Sequence, residues 1–520
     1  MLSLSFAVGL WHGFPFTNVV ADEMFFAGGS LRAMENYSVL PMALDVPYGT
    51  LTYYLSYIVI GIGLAILSVF YTFDLEAVKF LIIQNPFIAY GLARLVSFTL
   101  ALFCLFAANS ILKRYVADYR NRLLIIILLF TNILVNIVFH TNKVWVLSTT
   151  LLLVSLYFVV RVFETEENSN KKRFIWCAII SAFLSFANFP LMGMTLVSIP
   201  LILYKYRNNR EFLMTIIKAT LFGAVIFGLL VASNFSGIKS QVYSIIFDYT
   251  ISPNALAHNA SIPFSAYLHL KKVIVMFPLL IILLAYAYIR GKVKHRQVFL
   301  ISGFYLVLYI VLLTVVDRWS LVDKAALRYS FPIPFLMAFL ISSLDFPFRK
   351  ALLIPATISV IYLLPTLYFL SVPTTSHLAV DFVRTELSSD PKAVIWNKVG
   401  ADTPIPQNKL SYELFLEGKC GSLCRATLKY DLEKDFKPVT ALDVHTDLGR
   451  LEEVMKDASV YYVLRAASST PDLVEVSSFT GPVVDLNYYS ADNSGSYFDP
   501  AYLMLKRFGP NIYIYKSQIK

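Results

Sequence analysis

What most constrains this chain is the recurrence of long apolar runs, such as LTYYLSYIVIGIGLAILSVFYTF (51–73) and LLIIILLFTNILVNIVF (123–139), divided by short polar segments. Runs of this length match the thickness of a bilayer's hydrocarbon core. In lipid the backbone must satisfy its own hydrogen bonds, so runs of helical length imply helices. Composition agrees: 57% of the 520 residues are hydrophobic and 15% charged, where a soluble domain carries about a quarter charged. The expected class is a polytopic α-helical membrane protein.

The net charge of +10 does not point to nucleic acid. The basic residues fall in short clusters between apolar runs, as in cytoplasmic membrane loops. The clusters are Lys113/Arg114/Arg120/Arg122, Arg161 with Lys171/Lys172/Arg173, Lys205/Arg207/Arg210, Arg290/Lys292/Lys294/Arg296 and Arg349/Lys350. If all five are cytoplasmic, an even number of crossings separates neighbours. The spans 123–139 with 144–160, 174–189 with 190–204, 212–233 with 271–289, and 297–315 with 329–346 satisfy this. The pair inside 174–204 is short for full spans. A last span, 351–372, carries the C-terminal region outside.

Upstream, span 86–112 ends at the first basic cluster and so begins outside. Residues 1–85 hold only Arg32 and Lys79 as basic residues, which suits an external location. A first short span, Leu2 to Phe16, lacks the basic start and cleavage site of a signal peptide. The run 51–73 is apolar enough to cross, yet crossing breaks the parity. It is therefore read as an external juxtamembrane helix at the interface, within an external loop of about 17–85. The total is about 11 spans, forming a transmembrane domain over 1–374.

From 375 to 520 the character changes. Short β-prone runs (KAVIW, VYYVL, NIYIY) alternate with polar turns, and TDLGRLEEVMKDA has helical spacing. This reads as a separate extracytoplasmic α+β domain. Within it CGSLC sets Cys420 and Cys424 four residues apart; a local disulfide and two free thiols are both open readings.

Certain residues in order carry a family pattern: Asp22-Glu23 after the first span, VPYGTLTYYLSY with Pro47, Tyr48 and Leu51, GLARLVSFTLALF with Ala93-Arg94-Leu95, and LRYSFPIPFLMAFL with Arg328, Tyr329, Pro332 and Pro334. This order and spacing, over about residues 1–350, resembles the GT-C superfamily of polyprenyl-phosphate-dependent glycosyltransferases. Protein O-mannosyltransferases and lipid A aminoarabinose transferases look nearest. The resemblance implies a hexosyl or pentosyl transferase in the cell membrane, with a polyprenyl-phosphate-linked sugar as donor and an extracytoplasmic protein, lipid or glycan as acceptor. Two features depart from it: the Pro-Pro pair is reduced to Pro47, and the second external loop, HTNKVW, has no acid. One acidic pair is thin ligation for a divalent ion, so no metal ligand is assigned and a divalent cation stays an open question.

The chemistry assigns roles. A sugar on a polyprenyl phosphate has a good leaving group already. The acceptor hydroxyl needs a base opposite it, the inverting single-displacement geometry. Asp22 is the expected base and Glu23 its partner; the alternative is that both acids cap the following helix. Arg94, Lys143 and Arg328 are expected to hold the donor phosphate, the alternative being snorkelling to lipid headgroups. His140 in the second loop, with Asp248 and His258 in the long loop 234–270, are acceptor or loop candidates. The rival functions are a flippase or transporter for a lipid-linked sugar, a polymerase or ligase of surface polysaccharide with its centre in a large external loop, and a non-catalytic assembly subunit. A transporter predicts mid-span charges or broken helices in matching halves, whereas the spans are nearly free of central charges and no halves correspond.

Overall fold

A computed structural model describes residues 2–10, 24–41, 46, 48–74, 77–78, 81–82, 87–243, 262–320, 327–390, 392–399, 405, 439–443, 457–480 and 511–518. Six helices are long and apolar enough to cross a membrane: Thr50–Phe70, Phe87–Tyr115, Val144–Glu164, Arg210–Ser233, Arg296–Val315 and Lys350–Tyr368. Two bent pairs bring the number to eight if each is one span. The chain is thus a multi-pass membrane protein. The remaining expected spans take other forms. Asn168–Asn188 is helical, 190–204 is a 3-10 turn followed by a short helix, and 329–346 contains only the ten-residue helix Ile333–Ser342.

Both bends have local causes. Tyr119–Phe130 and Ile133–Phe139 meet at 65° because the Asn132 side chain caps the second helix, accepting from Leu134 N at 3.0 Å. A capping residue leaves helical geometry, which ends one helix and re-aims the next. Ala266–Met276 and Pro278–Arg290 meet at 92° where Pro278, lacking an N–H, opens a new helix at its first turn. The breaks face each other: Asn132 donates to the Met276 carbonyl at 2.8 Å. Phe6, Phe130, Phe139, Phe331 and Phe335 fill the space beside them, with ring centroids 5.1–6.3 Å apart.

The five basic clusters gather at one end of the bundle. Arg114 and Arg161 share Glu164, Lys205 donates to the Val162 carbonyl at 2.8 Å, and Lys172 pairs with Glu211. Tyr115 packs on His295, and Asn121 donates to the Phe346 carbonyl. A two-stranded pairing of Lys292–Val293 with Leu344–Asp345 closes that end.

At the opposite end lies the Thr50–Phe70 helix. Thr52 meets Asn188, the last residue of its helix; Ser56 meets Asn142, just before the Val144 helix; Gly63 lies against Leu92, in the second turn of the Phe87 helix. Over about 16 Å of its length it therefore passes three helix ends in turn. Ile58, Ile62, Ile66 and Val69 are exposed on it as one stripe at i, i+4, i+8, i+11. By length and composition this helix, read from sequence as juxtamembrane, is one of the six able to cross a membrane.

The C-terminal part forms a five-stranded sheet in the order Thr440–Asp443, Ala393–Asn397, Ser459–Leu464, Ile512–Ser517, Leu473–Phe479. The first three strands run parallel and the last two antiparallel to their neighbours. All three β-prone runs quoted above are strands. The helix Thr375–Phe382 connects sheet and bundle: His377 stacks on Phe87 with centroids 4.0 Å apart. Phe87 opens the helix carrying Arg94, so the sheet attaches at the end opposite the basic clusters.

Candidate functional site

The site is built where the Phe87–Tyr115 helix, the turn 140–143 and the residues before Thr50 converge. Arg94 projects from the second turn of its helix and is buried. One turn on, the Ser97 hydroxyl donates to the Thr141 carbonyl at 2.7 Å, fastening that helix to the turn. Apolar neighbours of the Arg94 turn (Ala89, Ala93) pack against Ala27, Leu31 and Ile60, so the Met24–Glu35 helix also borders it.

The turn carries His140 and Lys143, both buried. The His140 Nδ1 donates to the Asn136 carbonyl at 2.6 Å, the only role a carbonyl partner permits. Burial pushes the His140 pKa down to about 4; the Asn136 carbonyl opposes this and the nearby Arg94 guanidinium adds to it. His140 is therefore neutral near pH 7 and adds no charge of its own. Lys143 donates to the Tyr48 hydroxyl at 3.1 Å and lies 5.4 Å from the centre of that ring. Tyr48 is held edge-on by Phe26 and Phe189.

Three asparagines bind the surrounding helix ends. Asn188 accepts from the Thr52 N–H and hydroxyl at 2.9 and 3.0 Å and donates to Ser148 at 2.8 Å. Asn142 donates to Ser56 at 2.7 Å, and Asn234 to the Val46 carbonyl at 2.7 Å. Such amides satisfy buried backbone and hydroxyl groups at once, which a dry boundary demands. On the far side Trp145, two residues past Lys143, packs on Tyr329 with centroids 5.2 Å apart. The Tyr329 carbonyl accepts from Tyr309.

Of the residues expected from sequence, the fold brings together Arg94, His140 and Lys143. The backbone of Arg328 lies in the 3-10 turn Leu327–Ser330, whose Tyr329 borders the site; the Arg328 side chain lies outside the described residues. So do Asp22, Glu23, Pro47, Asp248, His258, Cys420 and Cys424. Among the described residues no three His, Cys, Asp or Glu side chains come together to ligate a metal. Sequence reasoning passed over His269 and Lys272, both buried on the Ile262–Met276 helix that touches the Leu327–Ser330 turn. Their signal was an i, i+3 pair of ionisable residues in an apolar helix, a pattern that marks function inside membranes.

No family model and no curated protein matches the sequence. Among solved structures, the chain is similar to ArnT from Cupriavidus metallidurans, crystallised bound to undecaprenyl phosphate. The likeness covers 99% of this chain and 96% of that one, with a TM-score of 0.53 and 11% sequence identity. The chain shares the overall fold of that structure. The match runs through both the helical bundle and the sheet, so the likeness is one of whole architecture. Arg94 and Lys143 occupy the bundle end that carries the sheet.

Proposed function

We propose that the protein is a membrane glycosyltransferase that moves a sugar from a polyprenyl-phosphate donor to an acceptor on the extracytoplasmic side. The observation that carries this reading is the burial of two cations, Arg94 and Lys143, at the end opposite the basic loops. Buried cations at a membrane boundary suit the stabilisation of a lipid-borne phosphate as charge develops on it. The shared fold adds support through ArnT, whose structure was solved with undecaprenyl phosphate.

In the proposed reaction Asp22 takes the proton of the acceptor hydroxyl, whose oxygen attacks the anomeric carbon. The carbon–oxygen bond to the phosphate breaks, and its electron pair leaves with the phosphate. Arg94 and Lys143, with Arg328, stabilise the charge that develops there. Glu23 orients Asp22 or the acceptor. Attack opposite the leaving group inverts the anomeric centre, and no step requires a metal. Asp22 and Glu23 directly precede in sequence the Met24–Glu35 helix, whose Phe26 packs on Tyr48, the hydrogen-bond partner of Lys143. Residues 375–520 are proposed as the extracytoplasmic domain; the His377–Phe87 stack supports its nearness to the site.

The test is transfer in lipid nanodiscs with a panel of polyprenyl-phosphate sugars and the anomeric configuration of product read by NMR. Inverted product, insensitive to chelator, is expected. Retained configuration would exclude the single displacement, and donor binding unaffected by loss of both Arg94 and Lys143 would remove the site.

A further inference from the structure

A second feature of the bundle lies away from this site, toward the basic end. A cavity of about 270 Å³ opens between the Phe87–Tyr115 and Val144–Glu164 helices. Its wall is almost wholly apolar: Phe103, Ala107 and Ile111 from the first helix, Leu153 and Tyr157 from the second, Phe339 from the short helix Ile333–Ser342. Phe103 lies nine residues beyond Arg94, about 14 Å along the helix, so the cavity is distinct from the candidate site. Phe103 and Ser110 are exposed at its edge, so it opens sideways, toward lipid.

Helical periodicity carries both walls to the same terminus. The stripe 103/104, 107/108, 110/111 continues to Arg114, and the stripe 150, 153/154, 157/158 continues to Arg161. These guanidiniums share a single carboxylate, Glu164, at 3.7 and 3.6 Å. Glu164 also accepts from the Tyr115 hydroxyl at 2.9 Å. The Arg161 guanidinium rests on the Phe174 ring, and its Nη1 is the atom that faces Glu164. Two guanidiniums against one carboxylate leave an excess positive charge and spare donors, and Lys113 adds to the charge.

We propose that this groove binds an anionic glycerophospholipid from the leaflet at the basic end, with an acyl chain in the cavity and the phosphate on Arg114 and Arg161. The groove's opening toward lipid, its apolar wall and the surplus of guanidinium donors at its end match the two halves of such a molecule. Anionic headgroups are attracted to basic side chains at that surface, and arginine forks suit phosphate oxygens.

Native mass spectrometry of the full-length protein with phosphatidylglycerol or phosphatidylcholine at equal concentration tests this. Phosphatidylglycerol should be retained roughly tenfold better. Arg114→Gln with Arg161→Gln should abolish the preference, and Ala108→Trp should lower retention of both lipids. A preference that survives the double variant, or displacement by free inorganic phosphate, overturns the proposal. Because these variants can perturb folding, the unaltered protein is also reconstituted with a phosphatidylglycerol bearing a photoreactive acyl chain. Label on peptides covering 103–112 and 150–158 is expected. Label concentrated elsewhere, or displaced equally by a polyprenyl phosphate, refutes it.

Discussion

The Lys143 ammonium lies 3.1 Å from the Tyr48 hydroxyl oxygen and 5.4 Å from the centre of the same ring. Two residues nearly a hundred positions apart thus form one unit, in which the aromatic face and the phenol oxygen aim the cation. A Lys143→Ala protein should lose roughly 10- to 100-fold in affinity for a polyprenyl phosphate, the worth of a charged hydrogen bond. Tyr48→Phe keeps the ring and should cost only a few-fold. Isothermal titration in nanodiscs reads both. Unchanged affinity in folded Lys143→Ala would take Lys143 out of the phosphate site.

Gly49 explains why Tyr48 sits where it does. Its φ of 78° is in the left-handed region, and a Cβ there would lie 2.3 Å from Val144 Cγ1 and 2.8 Å from the Phe26 ring. Gly49→Ala should destabilise by about 1–3 kcal/mol from backbone strain alone. It should also shift Tyr48 and reduce turnover of the folded fraction. Gly228→Ala is the control, since nothing lies within 4 Å of its Cβ and helix propensity favours alanine by up to about 1 kcal/mol. Thermal melts should move in opposite directions; a neutral Gly49→Ala would show that the turn can repack.

His140 sets a pH dependence of stability. Its folded pKa, lowered to about 4 from 6.5, means that the unfolded chain binds the extra proton first as pH falls. Its contribution is whole above pH 6.5 and is lost as pH drops toward 4, by about 3 kcal/mol in all. Parent and His140→Gln should therefore differ in the slope of apparent Tm against pH over that window, the parent being steeper. Carboxylates titrate in both proteins and cancel in the comparison. Parallel slopes would mean His140 is hydrated and charged.

The parts of this fold legible in the sequence are those set by repetition. KAVIW, VYYVL and NIYIY became strands because alternating side chains can bury one face, and the basic clusters converged because they share a solvent boundary. The breaks at Asn132 and Pro278 were not legible: an apolar run averaged over a span's length hides a single capping amide or a missing N–H. Arg94 and Lys143 stood out in sequence as cations near the outer ends of apolar runs, and both are buried in the fold. His269 and Lys272 were missed because Lys271-Lys272 reads as the polar start of a span, whereas the Ile262–Met276 helix begins earlier and buries the pair. The hub at Asn188 was invisible because its partners, Thr52 and Ser148, are far off in sequence and individually ordinary.

The sharpest expectation concerns Asp22. Asp22→Asn preserves size and hydrogen-bonding reach and removes the base, so turnover should fall about 10²–10⁴-fold. Donor binding should change little, because a carboxylate near a lipid phosphate contributes repulsion rather than attraction. Glu23→Gln should be milder if Glu23 positions its neighbour. Arg94→Ala and Lys143→Ala should lower affinity and turnover together, since they act on the phosphate in ground and transition states alike. A pure capping role for the acids, at the start of the Met24–Glu35 helix, predicts another pattern: a loss of about 1 kcal/mol in stability with the folded fraction fully active. Single-turnover kinetics beside a thermal melt separates the two. A folded Asp22→Asn protein working at the parent rate would make the acid pair structural, and the base for the reaction would have to be another group.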